Sequence, residues 1–413
     1  MKESRRKNLC VLCALCGVIA LLCYLPTAAV AGGYAQGFQG SQSAGMSGAV
    51  TARPNMPEAG FYNPAGFALQ DEFGASLGAA ALVPQVIYED PRTGERTRAQ
   101  VSGAFPPYLH GYWRQGSISL GLSLGVPYGA GLEWPEDWPG RFEVTSTSLT
   151  VYEAAPSLAW RPITWLAIGG GPRIAYGQVG FERFIDFAQP GDEGFVNLSA
   201  GAFGMGGQVG AWAQVHDLWS LGLSWRSAMT LAFEGLARFE NIPEEMEDRA
   251  HDTIARTEMD LPHRLVAGVA FEVGAMGTIS LDLEYTLWGV VDTFEVRFDS
   301  EDVEDILEAR DWENTLAMRV GAEYLMPING LTLRTGFAID PSPAPEDTLS
   351  PATPDTDRYI TSLGLGYQAM EFMDVDLSYT FITLSRTAST GDFPGVYDGQ
   401  IHAFTLGLRW SAW

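Results

Sequence analysis

The sequence predicts an all-β protein, a transmembrane antiparallel β-barrel of about 14 strands with an N-terminal hatch, or plug, inside the lumen. Three observations lead to this prediction. Segments of alternating apolar and polar residues repeat from Phe73 to the C-terminus. The connections between these segments alternate between short turns and long loops. An irregular segment at 37–69, rich in Gly, Ala and Ser, precedes all of them.

The alternation is clearest at residues 279–287. Ile, Leu, Leu, Tyr and Leu fall on one face there, and Ser, Asp, Glu and Thr fall on the other. Residues 313–324, 331–339 and 374–381 show the same period of two, which is the period of a β-strand. Strands of this length exceed the usual length in soluble proteins, so a soluble β-sandwich is the less favoured alternative.

The loop lengths indicate a bacterial outer-membrane barrel, because such barrels have short turns on one side and long loops on the other. A barrel must also close, since lipid offers no partner for an unpaired strand edge. Two of the long loops, 239–257 and 300–311, are predicted to contain short amphipathic helices. The short connections are 115–116, 161–163, 216–217, 274–277, 327–329 and 370–372, and the other long ones are 89–104, 128–141, 184–194, 341–356 and 387–399.

The N-terminus has the pattern of a signal peptide. A basic stretch at 2–7 is followed by an apolar run at 9–22 and by the small-x-small cleavage site Ala29-Val30-Ala31. We therefore predict a signal peptide at 1–31, which contains all four cysteines and both lysines of the chain. Export across the inner membrane agrees with a final location in the outer membrane of a Gram-negative cell.

Residues 32–70 are predicted to form the hatch, and residues 71–413 the barrel. The Gly/Ser/Pro composition of the first segment would also suit a disordered leader. A disordered leader has little use for large apolar side chains such as Phe38, Met46 and Phe67, so a packed plug is the favoured interpretation.

Composition and motifs argue against several other functions. The net charge of −25 disfavours a nucleic-acid partner. The five histidines are scattered without metal-ligand spacing, so neither a metal site nor a cofactor is predicted. The pattern Gly-x-Ser-x-Gly occurs at 74–78 and 121–125, but both lie inside predicted strands and not at a strand-to-helix elbow. No phosphate loop is present, and no catalytic residue is predicted. A barrel lipase, which would need paired Ser and His side chains on the barrel wall, is the enzyme alternative.

Several segments resemble the outer-membrane long-chain fatty-acid and hydrocarbon transporter family of the FadL/TodX type. Gly37-Phe38-Gln39 with 43–49 resembles the start of the family's hatch, and 61–66 (Phe-Tyr-Asn-Pro-Ala-Gly) resembles its Asn-Pro-Ala motif. Residues 340–345 (Asp-Pro-Ser-Pro-Ala-Pro) and 354–358 (Pro-Asp-Thr-Asp-Arg) resemble a specific loop. The similarity covers essentially the whole mature chain.

The resemblance implies a monomeric barrel, in contact with outer-membrane lipid, for passive uptake of hydrophobic small molecules. The substrate is either a long-chain fatty acid or an aromatic or alkane hydrocarbon. Ligand would enter a pocket near the hatch and leave sideways into the bilayer at a kink in the third strand. A water-filled diffusion porin is the alternative.

The resemblance also assigns roles to individual residues. Arg183 would pair with a ligand carboxylate, because a buried anion needs a charge-assisted partner. Proline cannot donate to the sheet, so the third-strand kink is expected at its proline. The family's pocket lysine has no counterpart after residue 31, which leaves both charged and neutral ligands open. The predicted site residues are Phe38, Phe61, Phe181 and Arg183 for ligand binding, Asn63, Pro64 and Ala65 for gating, and Gly125 and Pro127 for the kink and lateral exit.

Overall fold

The structure is a computed structural model that describes residues 33–100, 103–187, 193–274, 277–328, 330–388 and 393–412. The predicted signal peptide at 1–31 lies outside these ranges.

The described residues form one antiparallel sheet of nineteen strands. Four pairs of consecutive strands continue one another along the barrel wall. The short β2 pairs with the end of β1, in line with β3, so the wall has fourteen strands. The strands are β1 (Phe73–Glu89), β2 (Arg96–Arg98), β3 (Pro107–Gln115), β4 (Ile118–Glu133), β5 (Ser146–Ile163), β6 (Leu166–Asp186), β7 (Glu193–His216), β8 (Trp219–Arg226), β9 (Met229–Glu240), β10 (Thr253–Leu261), β11 (Arg264–Val273), β12 (Gly277–Thr286), β13 (Thr293–Phe298), β14 (Ile306–Ala309), β15 (Thr315–Leu325), β16 (Leu331–Asp340), β17 (Arg358–Met370), β18 (Met373–Ala388) and β19 (Gly395–Ala412).

The sheet closes on itself. The first strand pairs with the last along its whole length, from Phe73 opposite Ala412 to Glu89 opposite Val396. This closure leaves no open sheet edge among the fourteen wall strands of the described residues. The predicted antiparallel barrel of about 14 strands is therefore confirmed.

The two faces of the wall have opposite polarity, as β12 illustrates. Leu283 and Tyr285 are 44% and 41% exposed on the outer face, whereas Ser280 and Asp282 are completely buried on the inner face. The outside is therefore apolar and the inside polar, which reverses the arrangement of a soluble protein and is typical of a membrane barrel. No helix in the described part of the chain is long and apolar enough to cross a membrane.

The predicted loop helices are wrong. Residues 253–261 form β10, which pairs with β9, and residues 306–309 form β14, which pairs with β13. Only a 3₁₀ turn at Glu244–Met246 precedes β10. A stripe of three apolar residues is a weak helix signal, and pairing with a neighbouring strand outweighs it. Buried Ala255 and Thr257 alternate there with exposed neighbours, which is the period of a strand.

Residues 33–70, called here the N-terminal segment, pack inside the ring of strands. They contain α1 (Ser41–Gly45), α2 (Ala59–Tyr62) and the 3₁₀ helix Pro64–Leu69, and nearly all of them are buried. Their partners lie on strands spread around the barrel, including β1, β4, β6, β12, β15 and β18. Another 3₁₀ turn, Trp288–Val290, follows β12.

Candidate functional site

Acidic residues of the inner wall hold the N-terminal segment in place. One carboxylate oxygen of Asp282 accepts hydrogen bonds from the backbone N–H groups of Val50 and Thr51, at 3.0 and 2.9 Å. Glu323 on β15 forms an ion pair with Arg53. The Asp282 contacts satisfy backbone groups that would otherwise be buried without a partner, a state that costs free energy.

Glycines in the wall let the backbone of this segment approach closely. A Cβ atom at Gly336 would lie 2.3 Å from the carbonyl carbon of Met46, and one at Gly210 would lie 2.1 Å from the Asn63 side-chain oxygen. Neither position has room for a side chain. The wall is therefore shaped to receive the segment.

The predicted gating residues anchor the C-terminal part of the N-terminal segment to the wall. The Asn63 side chain accepts a hydrogen bond from the Ala65 N–H at 3.2 Å, and its amide donates to the carbonyls of Thr51 and Ala211 at 2.9 and 3.0 Å. Pro64 begins the 3₁₀ helix, where its missing N–H costs nothing. The Asn-Pro-Ala motif therefore caps this helix and ties it to β7.

A cavity of about 60 Å³ lies between the N-terminal segment and the wall. Two of the predicted ligand-binding residues, Phe38 and Phe61, line it. Phe61 is also held by the wall, because the Arg226 guanidinium lies 4.1 Å from its ring centroid and donates a hydrogen bond to its carbonyl. The other lining residues are Ala35, Gln36, Gly37, Ala44, Ser47, Gly48, Tyr62, Arg264, Glu284, Arg319, Asp340, Arg358, Ile360, Thr380 and Ile382.

Three arginines line this cavity, and each is paired with a carboxylate. Arg264 and Arg319 both donate to Glu284, at 2.8 and 3.2 Å, and Arg319 also reaches Asp340 at 3.0 Å. The sequence prediction did not include these residues. The alternation of polar and apolar residues along their strands, which places Glu284 and Arg319 on the inward face, could have identified them.

The third arginine, Arg358, belongs to the loop that carries the Asp-Pro-Ser-Pro and Pro-Asp-Thr-Asp-Arg motifs. It donates to Asp355 at 2.6 Å, and the Ser342 hydroxyl donates to the same carboxylate at 2.7 Å. Burial raises the pKa of Asp355, and the charge of Arg358 opposes that rise. Asp355 also accepts a hydrogen bond from the N–H of Gly33 at 3.2 Å. The two motifs thus bind each other and the start of the N-terminal segment.

Phe181 and Arg183, the other predicted ligand-binding residues, lie elsewhere on β6. Phe181 packs against a large cluster of buried apolar side chains inside the barrel. Arg183 stands opposite Val196 of β7. Neither lines the cavity around Phe38 and Phe61. The Nε atom of Arg183 is buried without a hydrogen-bond partner among the described residues. Its role in ligand binding stays a prediction.

The third strand of the barrel, β4, has an irregularity at the predicted kink. Its register with β5 shifts between Gly125 and Tyr128, on either side of Pro127. The N-terminal segment spans this break. The Gln36 N–H donates to the Pro127 carbonyl at 2.8 Å, and the Gln39 side-chain amide donates to a neighbouring carbonyl of the break at 2.7 Å.

Further contacts extend this seam. Ala35 forms an antiparallel bridge with Tyr128, and the Gly129 N–H donates to the carbonyl of Tyr34 at 2.8 Å. A Cβ atom at Gly125 would lie 2.2 Å from the Gln39 side-chain oxygen, so this position must stay small. Residues 34–39 therefore cover the break in the wall through one β-bridge at Ala35 and hydrogen bonds on either side of it.

Comparison with known proteins adds a family match. The family described as "Outer membrane protein transport protein (OMPP1/FadL/TodX)" matches residues 22–405. The chain is 22% identical to the "Long-chain fatty acid transport protein" of Salmonella typhi over 84% of this chain and 86% of that protein. Proteins described as transport proteins give no support to the lipase alternative.

Solved structures show the same fold. A crystal structure of a Pseudomonas aeruginosa FadL homologue superposes with a TM-score of 0.82 at 19% identity, over 92% of this chain and 99% of that one. The Ralstonia pickettii toluene transporter TbuX superposes with a TM-score of 0.70 at 16% identity, over 90% and 98%.

Proposed function

The chain belongs to the outer membrane protein transport (OMPP1/FadL/TodX) family, and from this premise we propose that it carries hydrophobic small molecules inward across the outer membrane by passive diffusion. Residues 33–70 act as the hatch. The break in β4 is the lateral exit, and separation of the hatch from it opens the path into the bilayer.

The observation that carries this proposal is the seam between residues 34–39 and β4. A break in a barrel wall frees backbone groups that lipid cannot satisfy. Here the hatch supplies the partners, including the N–H of Gln36 for the carbonyl of Pro127. Moving the hatch would uncover a gap at a defined height in the wall. An apolar molecule inside the barrel could then leave sideways without crossing water.

The charges of the cavity favour a neutral ligand. Arg264, Arg319 and Arg358 are all paired with carboxylates, so a ligand carboxylate would have to displace one of them. A hydrocarbon needs no such exchange, and burial stabilises it by about 0.8 kcal/mol per CH₂ group. The names of the relatives cover both a fatty acid and toluene as cargo. We propose neutral hydrocarbons as the preferred cargo, with fatty acids as the alternative outcome.

The packing of the hatch opposes a water-filled porin. Residues 33–70 are almost entirely buried between strands around the described barrel, and the cavity beside them measures about 60 Å³. A porin keeps an aqueous channel through its lumen. The closed ring and its apolar outer face suit a monomer in direct contact with outer-membrane lipid.

A reversible crosslink tests the lateral exit. Ala35 and Tyr128 face each other as a pair flanked by hydrogen bonds on both sides, which is the non-hydrogen-bonded arrangement with close Cα atoms. That spacing suits a disulfide. The chain beyond residue 31 contains no cysteine, so the double variant A35C/Y128C introduces the only pair. Uptake of labelled toluene and oleate is measured in Gram-negative cells that lack their own transporter of this type, with each single cysteine variant as a control.

We expect the oxidised double variant to lose uptake and to regain it after reduction with dithiothreitol, while the single variants behave like the unmodified protein. If the oxidised protein still transports, the hatch does not need to leave β4 and the lateral exit is wrong. If cells with the unmodified protein take up neither probe faster than cells without it, the transport proposal itself fails.

A further inference from the structure

A buried carboxylate joins the two short helices of the N-terminal segment. Glu58 directly precedes α2 and is 1% exposed. One of its carboxylate oxygens accepts hydrogen bonds from the backbone N–H groups of Gln42 and Ser43 in α1, at 2.9 and 3.3 Å. The Ser76 hydroxyl of β1 donates to the other oxygen at 3.4 Å. This single side chain therefore ties α1, α2 and the wall together.

Glu58 is buried without an ion pair, which is unusual among the described acids of this chain. The buried acids that contact an arginine are Asp90, Glu153, Glu284, Glu323, Asp355 and Asp376. Only Asp282 of β12 shares the absence of such a contact among the described buried acids. An ionised carboxylate that leaves water and gains no cation is costly, so burial favours the neutral form of Glu58.

A second carboxylate faces Glu58 at α1. Asp376 of β18 accepts a hydrogen bond from the side-chain amide of Gln42 at 2.9 Å, so both acids contact the same residue. Arg334 of β16 is the nearby cation, and it donates to Asp376 at 2.7 Å. The repulsion from Asp376 outweighs the attraction to Arg334 at Glu58. A negative charge on Glu58 is therefore opposed by its neighbours as well as by its burial.

Tyr108 of β3 and Tyr62 of α2 also face the Glu58 charge, and the hydroxyl of a tyrosine is neutral at physiological pH. Burial is the main cause that raises the pKa of Glu58 to about 7. The carboxylate of Asp376 adds to this rise, and the N–H groups of α1 and the guanidinium of Arg334 oppose it. The geometry and the charges around Glu58 thus point to the same preference for the neutral carboxyl.

We propose that the Glu58 carboxyl is a proton-sensitive latch of the N-terminal segment: the neutral carboxyl holds α1 and α2 against β1, and its ionisation loosens them. The neutral form keeps both N–H groups of α1 on one oxygen and can share its proton with the Ser76 hydroxyl through the other. The inference concerns how firmly the segment is packed. Its consequence for transport rests on the proposed function, in which this segment is the hatch.

The direction of the pH dependence follows from the two states of the segment. Release of the segment exposes Glu58 to water, where a glutamate has a pKa of about 4.3. The packed state therefore binds this proton more tightly than the released state does. Packing is strongest below about pH 4.3, weakens as the pH rises, and levels off above about pH 7.

Hydrogen–deuterium exchange of the full chain in lipid nanodiscs tests the latch, because amide protection reports local opening. The protection of a peptide spanning residues 41–50 is corrected for the intrinsic exchange rate at each pH. Glu58→Gln is the decisive variant, since its amide has the shape of the neutral carboxyl and cannot ionise. Glu72→Gln is the matched control, because Glu72 is an exposed acid just after the segment. A heat-dependent shift in gel mobility verifies that each barrel has folded.

We expect the protection of 41–50 in Glu58→Gln to exceed that in the unmodified chain by a factor that grows with pH. The factor should grow about tenfold or more between about pH 5 and pH 7, because the released carboxyl ionises in this range before the packed one does. Above about pH 7.5 both are ionised, and the factor should change by less than about threefold per pH unit. Glu72→Gln should match the unmodified chain at every pH.

A factor that stays constant between about pH 5 and pH 7 would overturn the latch, and so would an equal factor in Glu72→Gln. The unmodified chain gives a second measurement in case Glu58→Gln does not fold. Its protection at 41–50, divided by that of a wall peptide spanning 331–340, should fall as the pH rises, and a constant ratio would also overturn the latch. Exchange is measured without cargo, so it decides the latch whether or not the chain transports toluene or oleate, whereas uptake decides the proposed function.

Discussion

Substitution of Asp282 by Ala should loosen the middle of the proposed hatch, residues 33–70, without altering the outer face of the barrel. The carboxylate is completely buried, and one of its oxygens accepts both backbone N–H groups of Val50 and Thr51. Alanine leaves both donors buried without an acceptor. Each unsatisfied group costs about 1–3 kcal/mol, so the docked hatch should lose about 2–6 kcal/mol.

Hydrogen–deuterium exchange measures this loss directly. Amide exchange reports the free energy of local opening, and about 1.4 kcal/mol corresponds to a tenfold change. Even the lower bound therefore predicts that amides in a peptide spanning Val50 and Thr51 exchange roughly 30-fold faster in Asp282→Ala. Asp282→Asn is the matched control, because its side-chain carbonyl can still accept a hydrogen bond, and its exchange should rise less than about tenfold.

Equal exchange rates in the Ala and Asn variants would refute this reasoning, since they would show that the oxygen acceptor does not hold the hatch. A second readout is the entry of arabinose into proteoliposomes. We expect a leak in Asp282→Ala only, because an undocked hatch opens the lumen to water. A leak without faster exchange would place the opening elsewhere in the barrel.

Three further perturbations test separate parts of the site. Gly336→Val should displace the hatch backbone at Met46 and cause an arabinose leak, whereas Gly111→Val, where a Cβ atom has 3.8 Å of clearance, should not. Gln39→Leu removes a hydrogen bond to the break in β4, worth about 1 kcal/mol, and should raise toluene uptake severalfold. Unchanged uptake would show that Gln39 does not help to close the break. Arg183→Ala should lower oleate uptake about tenfold or more and spare toluene if this residue pairs with a ligand carboxylate, and an equal loss for both probes would contradict that role.

The fold could be read from the sequence because a membrane barrel repeats one pattern on every strand. Residues 279–287 show both faces, and their apolar positions are the exposed ones. Prediction from the sequence pattern was wrong at 246–254, where the spacing of three apolar residues suggested a helix. Its end, from residue 253 onward, pairs with β9, and the identity of a partner strand is not visible in the segment itself.

The candidate site was only partly predictable, for a related reason. The kink at Pro127 was predictable because proline cannot donate to the sheet, which is a property of one residue. Phe38 and Phe61 meet in one cavity, but Arg183, expected beside them, does not. Which inward side chains share a height in the barrel depends on the register of many strands. Sequence spacing says little about it.

The composition of the interior has a physical basis in the shape of arginine. Arg319 contacts both Glu284 and Asp340, and Arg334 contacts both Glu323 and Asp376. A planar guanidinium can bind two carboxylates on different strands at once, whereas a lysine offers a single point charge. A lumen built this way pairs these four acids without lysine, and the sequence has no lysine beyond residue 31.

The same pairing explains how a polar interior can serve an apolar cargo. A charge that already has its partners has little to gain from water or from a ligand carboxylate, so the wall behaves as a rigid frame for the hatch. The aromatic side chains that line the cavity, Phe38 and Phe61, come from the N-terminal segment and not from the wall. Specificity for the cargo is therefore expected in these aromatic side chains, and exchanging them should change the cargo while leaving the barrel intact.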